Sequence, residues 1–160
     1  MGIVTNQTEI PSAIPAPKLF NVFLLDAHNT FPKILPQAIK SIEIIEGNGG
    51  PGSLKKTTFA EGSEVKYIKH KLDLVDKDNF IYNYTAVEGD PWLEGLEKVS
   101  YETQIVPSPD GGSISKCTTK YYPKGDSKLD VDKIKEGEQK ALGLFKAVEA
   151  HVLSNPDAYN

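Results

Sequence analysis

Glu46-Gly47-Asn48-Gly49-Gly50-Pro51-Gly52-Ser53-Leu54-Lys55-Lys56 is the stretch whose reading decides the fold. Four glycines and a proline fall within six residues, wedged between two apolar, β-branched runs. Gly47 and Gly52 have the separation of the glycines in a phosphate-binding G-x-x-x-x-G-K-[ST] loop. Such a loop needs a lysine and then a hydroxyl residue directly after its last glycine, opening a helix whose amides face the phosphates. Here Ser53 and Leu54 follow instead, Pro51 deletes one N–H, and Thr57, Thr58 and Phe59 continue the segment with the composition of a strand. The stretch reads as a structured turn between two antiparallel strands.

Outward from that turn, strands are expected over residues 39–46, 54–60, 65–75, 79–88, 95–106 and 113–122, separated by turn-rich segments such as Glu61-Gly62-Ser63, Asp76-Lys77-Asp78-Asn79 and Pro109-Asp110-Gly111-Gly112. Short turns between consecutive strands imply an antiparallel meander. Upstream, residues 3–10 read as a first strand ended by Pro11. Two short helices follow, one over 17–25 and one over 29–35, the second interrupted by Pro32 and closed by Pro36. Downstream, residues 130–154 change period. Ile134, Ala141, Phe145, Val148 and Val152 recur at spacings of seven, four, three and four, one apolar stripe along a helix. About 24 residues at 1.5 Å each reach roughly 36 Å, the width of the domain. Gly137 sits where that stripe is thinnest, and its missing side chain leaves space over the sheet.

The chain of 160 residues fits one domain, 1–160. Its net charge is −4 and it contains no arginine, which argues against nucleic acid as a partner. No apolar run approaches a membrane span or a signal-peptide core. Cys117 is the only cysteine, so no internal disulfide can form and a cytoplasmic location is expected.

One sheet, one long helix and two short ones must share a core, and a curved sheet wrapped around the long helix does this. Alternation then supplies an inner face: Thr57 and Phe59; Ile68, His70 and Leu72; Phe80, Tyr82, Tyr84 and Ala86; Val99, Tyr101, Thr103 and Ile105; Ser115, Cys117, Thr119 and Tyr121. That face is too polar and too rich in tyrosine for a dry core. Its hydroxyls and imidazole need partners, which a solvated pocket or a polar ligand supplies.

The whole chain resembles the intracellular plant pathogenesis-related proteins that include the major birch pollen allergen. The resemblance is carried by Ile14-Pro15-Ala16, Leu25-Asp26, Phe31-Pro32-Lys33, Pro36-Gln37-Ala38, the Glu46 to Lys56 loop, Lys69-His70-Lys71, Glu88-Gly89-Asp90 and Lys124-Gly125-Asp126. Gly95, Glu102, Gly111-Gly112-Ser113, Lys116 and Tyr121 complete the family signature. It implies an α+β fold in which a seven-stranded curved antiparallel sheet grips a long C-terminal helix, with two short helices as a V and a large internal cavity. It further implies a monomeric defence- or stress-related carrier or scavenger of small-molecule plant metabolites or hormones: cytokinins, flavonoids, sterol-like hormones and alkaloid precursors. No cofactor or metal is implied. The family's ligand-binding lining falls on Phe23, Ile39, Lys55, Phe59, Tyr67, His70, Tyr82, Tyr84, Val99, Tyr101, Ser115, Cys117, Gly137, Lys140, Ala141 and Phe145.

Within that set, His70, Tyr82, Tyr84 and Lys55, joined by Glu9, form the expected polar cluster. Imidazole and phenol groups hydrogen-bond ring nitrogens or hydroxyls of an aromatic ligand, and a lysine faces a carboxylate or phenolate. The alternative is a cluster satisfied by neighbours or water. Cys117 reads as a buried thiol, since no base lies near it in sequence. Trp92 reads equally as a lid on the cavity mouth or as a loop residue packing on the surface. Two enzymatic alternatives come with the resemblance. A ribonuclease would use Lys55, Glu97 and Glu149, with His151 where relatives carry a tyrosine, and a norcoclaurine-synthase-like condensing enzyme would need an inward lysine near residues 120–124.

Overall fold

The computed structural model describes residues 2–159. Seven strands, β1 (Val4–Ser12), β2 (Ile39–Glu46), β3 (Leu54–Phe59), β4 (Tyr67–Asp76), β5 (Ile81–Asp90), β6 (Leu96–Pro107) and β7 (Ser113–Pro123), form one antiparallel sheet. Its order is β1-β7-β6-β5-β4-β3-β2. Strands β2 to β7 are the expected meander, and β1 closes the order by pairing with β7. β1 runs through Pro11 rather than stopping there: Pro11 lies opposite Ile114 on an edge strand, where a missing N–H costs no ladder bond.

The first short helix is a single α-turn, α1 (Ala16–Phe20), that widens into a π-turn at Asn21–Leu25. Helix α2 (Ala27–Ile34) carries Pro32 inside it without interruption. Proline removes one backbone donor there, and in so short a helix few intrahelical bonds are at stake. Thr30 anchors the pair of helices, its hydroxyl donating to the Val22 carbonyl at 2.7 Å in a buried position.

The glycine turn holds its own amides. Gly49 N–H donates to Ser53 Oγ at 2.9 Å, Gly50 N–H to Asn48 Oδ1 at 3.0 Å, and Gly52 N–H to the Leu72 carbonyl of β4 at 2.8 Å. Gly47 has φ +89°, and a Cβ on it would stand 2.5 Å from Ser53 Oγ, so glycine is required by conformation and by space. The amides a phosphate would need are engaged within the fold.

The core has two parts. Ile14, Leu19, Phe20, Val22, Leu72, Ile105, Val148 and Val152 pack where α1 and α2 meet the sheet and the C-terminal half of α3 (Val131–Ser154). Ala86, Leu96, Val99, Tyr121 and Ile134 pack at the other end. Trp92 belongs to the second part, its indole N–H donating to the Leu96 carbonyl at 2.8 Å, so it is an anchored packing residue. Helix α3 is fully buried only towards its ends, at Ile134, Val148 and Val152; between Ile134 and Val148 no residue is fully buried, and Leu144 and Phe145 pack half-buried against the core. At 1.5 Å per residue that stretch crosses about 21 Å of sheet.

Helix α3 starts on Asp130, whose carboxylate accepts from the backbone N–H of Asp132 at 3.1 Å and of Lys133 at 3.3 Å. With so few buried anchors the cap carries an unusual share of the helix's hold. Asp130→Ala is expected to cost about 1 kcal/mol, read as a melting temperature lower by roughly 2–4 °C.

Candidate functional site

Strand alternation and two bulges set the inner face. Lys55 and Thr57 of β3 point inward and are buried, and Lys55 stands opposite Ile44 on one side and His70 on the other. Irregular pairing between Lys69 and His70 and between Leu72 and Leu74 re-aims the ends of β4. Leu72 is accordingly buried, whereas Leu74, at the next even position, is 45% exposed. Phe80 lies just outside β5 in a left-handed conformation, φ +55°, which turns its ring onto Phe20 at 5.6 Å.

Lys55 Nζ donates to Tyr82 Oη at 3.2 Å in a buried position. Among the described residues that ammonium has a phenol as its partner and no carboxylate. An aromatic chain continues from there. The Tyr82 and Tyr84 rings meet edge-on at 5.7 Å, His70 meets Tyr84 edge-on at 5.1 Å, and Tyr84 stacks on Tyr101 at 4.7 Å with an interplanar angle of 16°. Cys117, the free thiol, lies beside them with Thr103 Oγ1 at 3.6 Å.

Burial tunes these groups in one direction, towards neutrality. It lowers the His70 pKa to about 4, with the Lys55 charge adding to the effect, and it lowers that of Lys55 itself. It raises Tyr82 and Tyr101 to about 12, the latter helped by Cys117 and Glu138. Tyr84 and Tyr121 are pushed up further, chiefly by the same loss of solvent. At neutral pH the face presents a neutral imidazole and protonated phenols, groups that both donate and accept.

The His70 environment carries a pH signature. In an unfolded chain its imidazole titrates near 6.5 and in the fold near 4. Between those values the unfolded state holds more protons, so stability falls as pH drops through that window, by about 3 kcal/mol in all. Urea titrations of the protein and of His70→Gln, made near pH 7 and near pH 4, are expected to show the variant losing less stability on acidification.

The remaining expected residues divide. Phe23, on the π-turn, is buried and stacks on Phe145 of α3 at 4.5 Å. Ile39, Val99 and Ser115 are buried on the inner side, and Phe59 is half-buried there. Gly137 and Ala141 lie on the α3 stripe yet are exposed, and a Cβ on Gly137 would meet no atom within 4 Å. Lys140 reaches sideways to pair with Glu64 in the β3–β4 loop, at the rim rather than on the inner face. Two expectations are corrected. Glu9 is exposed and stands opposite Lys116 on the outer face, because the inward positions of β1 are those of Asn6 and its even neighbours. Tyr67 also faces out: its hydroxyl donates to Glu88 at 2.7 Å and its ring lies under Lys56 at 4.9 Å.

Sequence reading missed Glu138. Its carboxylate accepts from Asn6 Nδ2 of β1 at 3.0 and 3.2 Å and from Tyr121 Oη of β7 at 3.1 Å. The signal was present: the seven-residue gap in the apolar stripe between Ile134 and Ala141 is filled at its fourth position by Glu138.

The residues of the two enzymatic alternatives are dispersed. Lys55 is buried on the inner face, Glu97 and His151 are exposed, and Glu149 pairs with Lys146 at 3.7 Å. On β7, Lys120 pairs with Glu102 at 3.7 Å on the outer side and Lys116 is exposed opposite Glu9. A separate open cleft of about 640 Å³ lies where the end of β1 and the β6–β7 turn meet the C-terminal part of α3, lined by Pro11, Ser12, Ser108, Pro109, Glu149 and Leu153 among others.

A sheet of this order under a long C-terminal helix invites comparison with known proteins. Residues 1–155 match the pathogenesis-related protein Bet v 1 family. This chain belongs to that family. The Bet v 1 assignment agrees with its relatives: it is 52% identical over 160 residues to major allergen Pru ar 1 of Prunus armeniaca, covering 100% of both chains. It is 53% identical over 159 residues to major strawberry allergen Fra a 1.05 of Fragaria ananassa, covering 99% of each. Among solved structures it is similar to Ara h 8.0201, with a TM-score of 0.85 and 42% identity over 96% of this chain and 99% of the other. Norcoclaurine synthase from Thalictrum flavum, in complex with dopamine and hydroxybenzaldehyde, is similar at a TM-score of 0.72 and 25% identity, over 96% of this chain and 88% of the other. No helix among the described residues is long and apolar enough to cross a membrane.

Proposed function

We propose that this Bet v 1 family member is a non-enzymatic carrier or scavenger that holds amphipathic plant metabolites or hormones between α3 and the inner face of the sheet. The observation that carries the reading is the middle of α3, which passes over the sheet from Ile134 to Val148 without a single fully buried residue. A helix that packed directly on a sheet would bury one residue per turn there. The polar lining supports the same reading. Tyr84 and Tyr101 offer a stacked aromatic platform, His70 and Tyr82 offer neutral hydrogen-bonding groups, and Lys55 offers a charge that no carboxylate of the described fold neutralises. Flavonoids, cytokinins, sterol-like hormones and alkaloid precursors share that combination of rings and few polar groups.

Catalysis is weighed against by position. The carboxylates of the ribonuclease set are not on the face that holds Lys55, and the β7 lysines a condensing enzyme would draw on turn outward. A fluorescence displacement titration with flavonoids and cytokinins tests the carrier. Dissociation constants in the micromolar range, about −8 kcal/mol, are expected, and no binding below about millimolar would sink the reading.

A further inference from the structure

Resting on the carrier reading, we infer that Glu138 is an ammonium-binding group, and that the chain's preferred ligands include aromatic amines that carry a protonated nitrogen. Glu138 lies on the α3 stripe that faces the sheet, between Ile134 and Ala141, and is half-buried. Its two partners, Asn6 and Tyr121, are both neutral donors. Among the described ion pairs none involves Glu138, although lysines are abundant elsewhere on the surface. A half-buried carboxylate held in place by neutral groups and lacking a counter-ion is a poised acceptor for a cation. A carboxylate has about four lone-pair sites, and Asn6 and Tyr121 occupy three.

The surroundings select the rest of the ligand. Tyr101, whose phenol feels the Glu138 charge, stacks on Tyr84, so a ring attached to the amine meets aromatic faces. Lys55 and Tyr121 stand on one cross-strand row, Lys55–His70–Ala86–Val99–Tyr121. Four strand spacings separate them, at most about 19 Å along the sheet and less across its concave side. The lining therefore has an anionic pole at Glu138 and a cationic pole at Lys55, with stacked tyrosines between. An aromatic amine with a phenolic or acidic group at its far end satisfies both.

The test uses tryptamine and its uncharged analogue tryptophol, titrated into the intact protein and into Glu138→Gln. The glutamine keeps an oxygen for Asn6 and Tyr121, and the melting temperature together with flavonoid affinity serves as the control that the variant is folded and its lining intact. Tryptamine is expected to bind the natural chain roughly tenfold tighter than tryptophol, because its ammonium adds a full opposite charge to the hydrogen bond that a hydroxyl also donates to the carboxylate. In Glu138→Gln that preference should vanish, with tryptamine affinity falling to that of tryptophol. Equal affinities in the natural chain, or a preference that survives in the variant, would overturn the assignment while leaving the carrier reading intact. Failure of both indoles with flavonoid or cytokinin binding present also overturns it alone, whereas failure of every ligand removes the carrier reading with it.

Discussion

Gly112→Ala is expected to destabilise the protein by about 3 kcal/mol or more, lowering its melting temperature by roughly 10 °C. A Cβ at Gly112 would stand 2.2 Å from the Ser12 carbonyl oxygen and 3.2 Å from Ala13 Cα, and both are backbone atoms. That backbone cannot step aside cheaply. Ser12 Oγ accepts from the Ile14 N–H at 3.1 Å, Ser113 Oγ donates to the Ile14 carbonyl at 2.7 Å, and Ser12 pairs with Ser113 across β1 and β7. Moving it disturbs Ile14, one of the largest fully buried side chains. Gly143 gives the opposite sign for the same substitution. It lies inside α3 with no atom within 4 Å of its Cβ position, so Gly143→Ala is expected to stabilise by about 0.5–1 kcal/mol through helix propensity. Chemical denaturation of both variants checks the pair, and a Gly112→Ala loss below about 0.5 kcal/mol would contradict the close crossing of β1 over the β6–β7 turn.

The second large effect concerns binding. Ala141 lies on the α3 stripe between Glu138 and Phe145, and it is exposed although the stripe faces the sheet. Phe145, four residues on, is turned inward onto Phe23. On the carrier reading, tryptophan at position 141 would occupy the ligand's space between α3 and the inner face of the sheet. Ala141→Trp is therefore expected to weaken flavonoid or cytokinin binding tenfold or more, about 1.4 kcal/mol, with folding stability changed by less than about 1 kcal/mol. Leu142 is 40% exposed and one residue off the stripe, so Leu142→Trp is the control and should leave affinity unchanged. Calorimetric titration of the two variants separates a blocked space from a general disturbance of the helix.

Much of this arrangement was legible in the sequence because it rests on local rules. Glycines and proline between β-branched runs gave the β2–β3 turn, and period-two alternation placed Thr57, His70, Tyr82, Tyr84, Tyr101 and Cys117 on one face, the face that the resemblance assigned to Lys55. Two expected residues stand against the parity of their strands, Tyr67 from the resemblance and Glu9 from the polar cluster. Glu9 is out of step with Asn6, and Tyr67 is out of step with Ile68 and His70, so both point outward. Bulges explain a further loss, since no local pattern announces that the pairing slips at Asp73 and leaves Leu74 exposed. The role of Phe80 depends on a left-handed backbone that propensity disfavours and that its packing on Phe20 offsets. Glu138 escaped notice because a search for apolar positions passes over a charged one, and only the distant partners Asn6 and Tyr121 reveal what it does.

On the carrier reading, ligands lie between α3 and the inner face of the sheet. Side-chain NMR of the aromatic residues during titration with a flavonoid tests it most directly. Resonance shifts concentrated on Tyr82, Tyr84, Tyr101, His70 and Phe145 are the expected result. Shifts confined to groups around the separate cleft of Pro11, Ser108, Glu149 and Leu153, with those five rings unmoved, would contradict it.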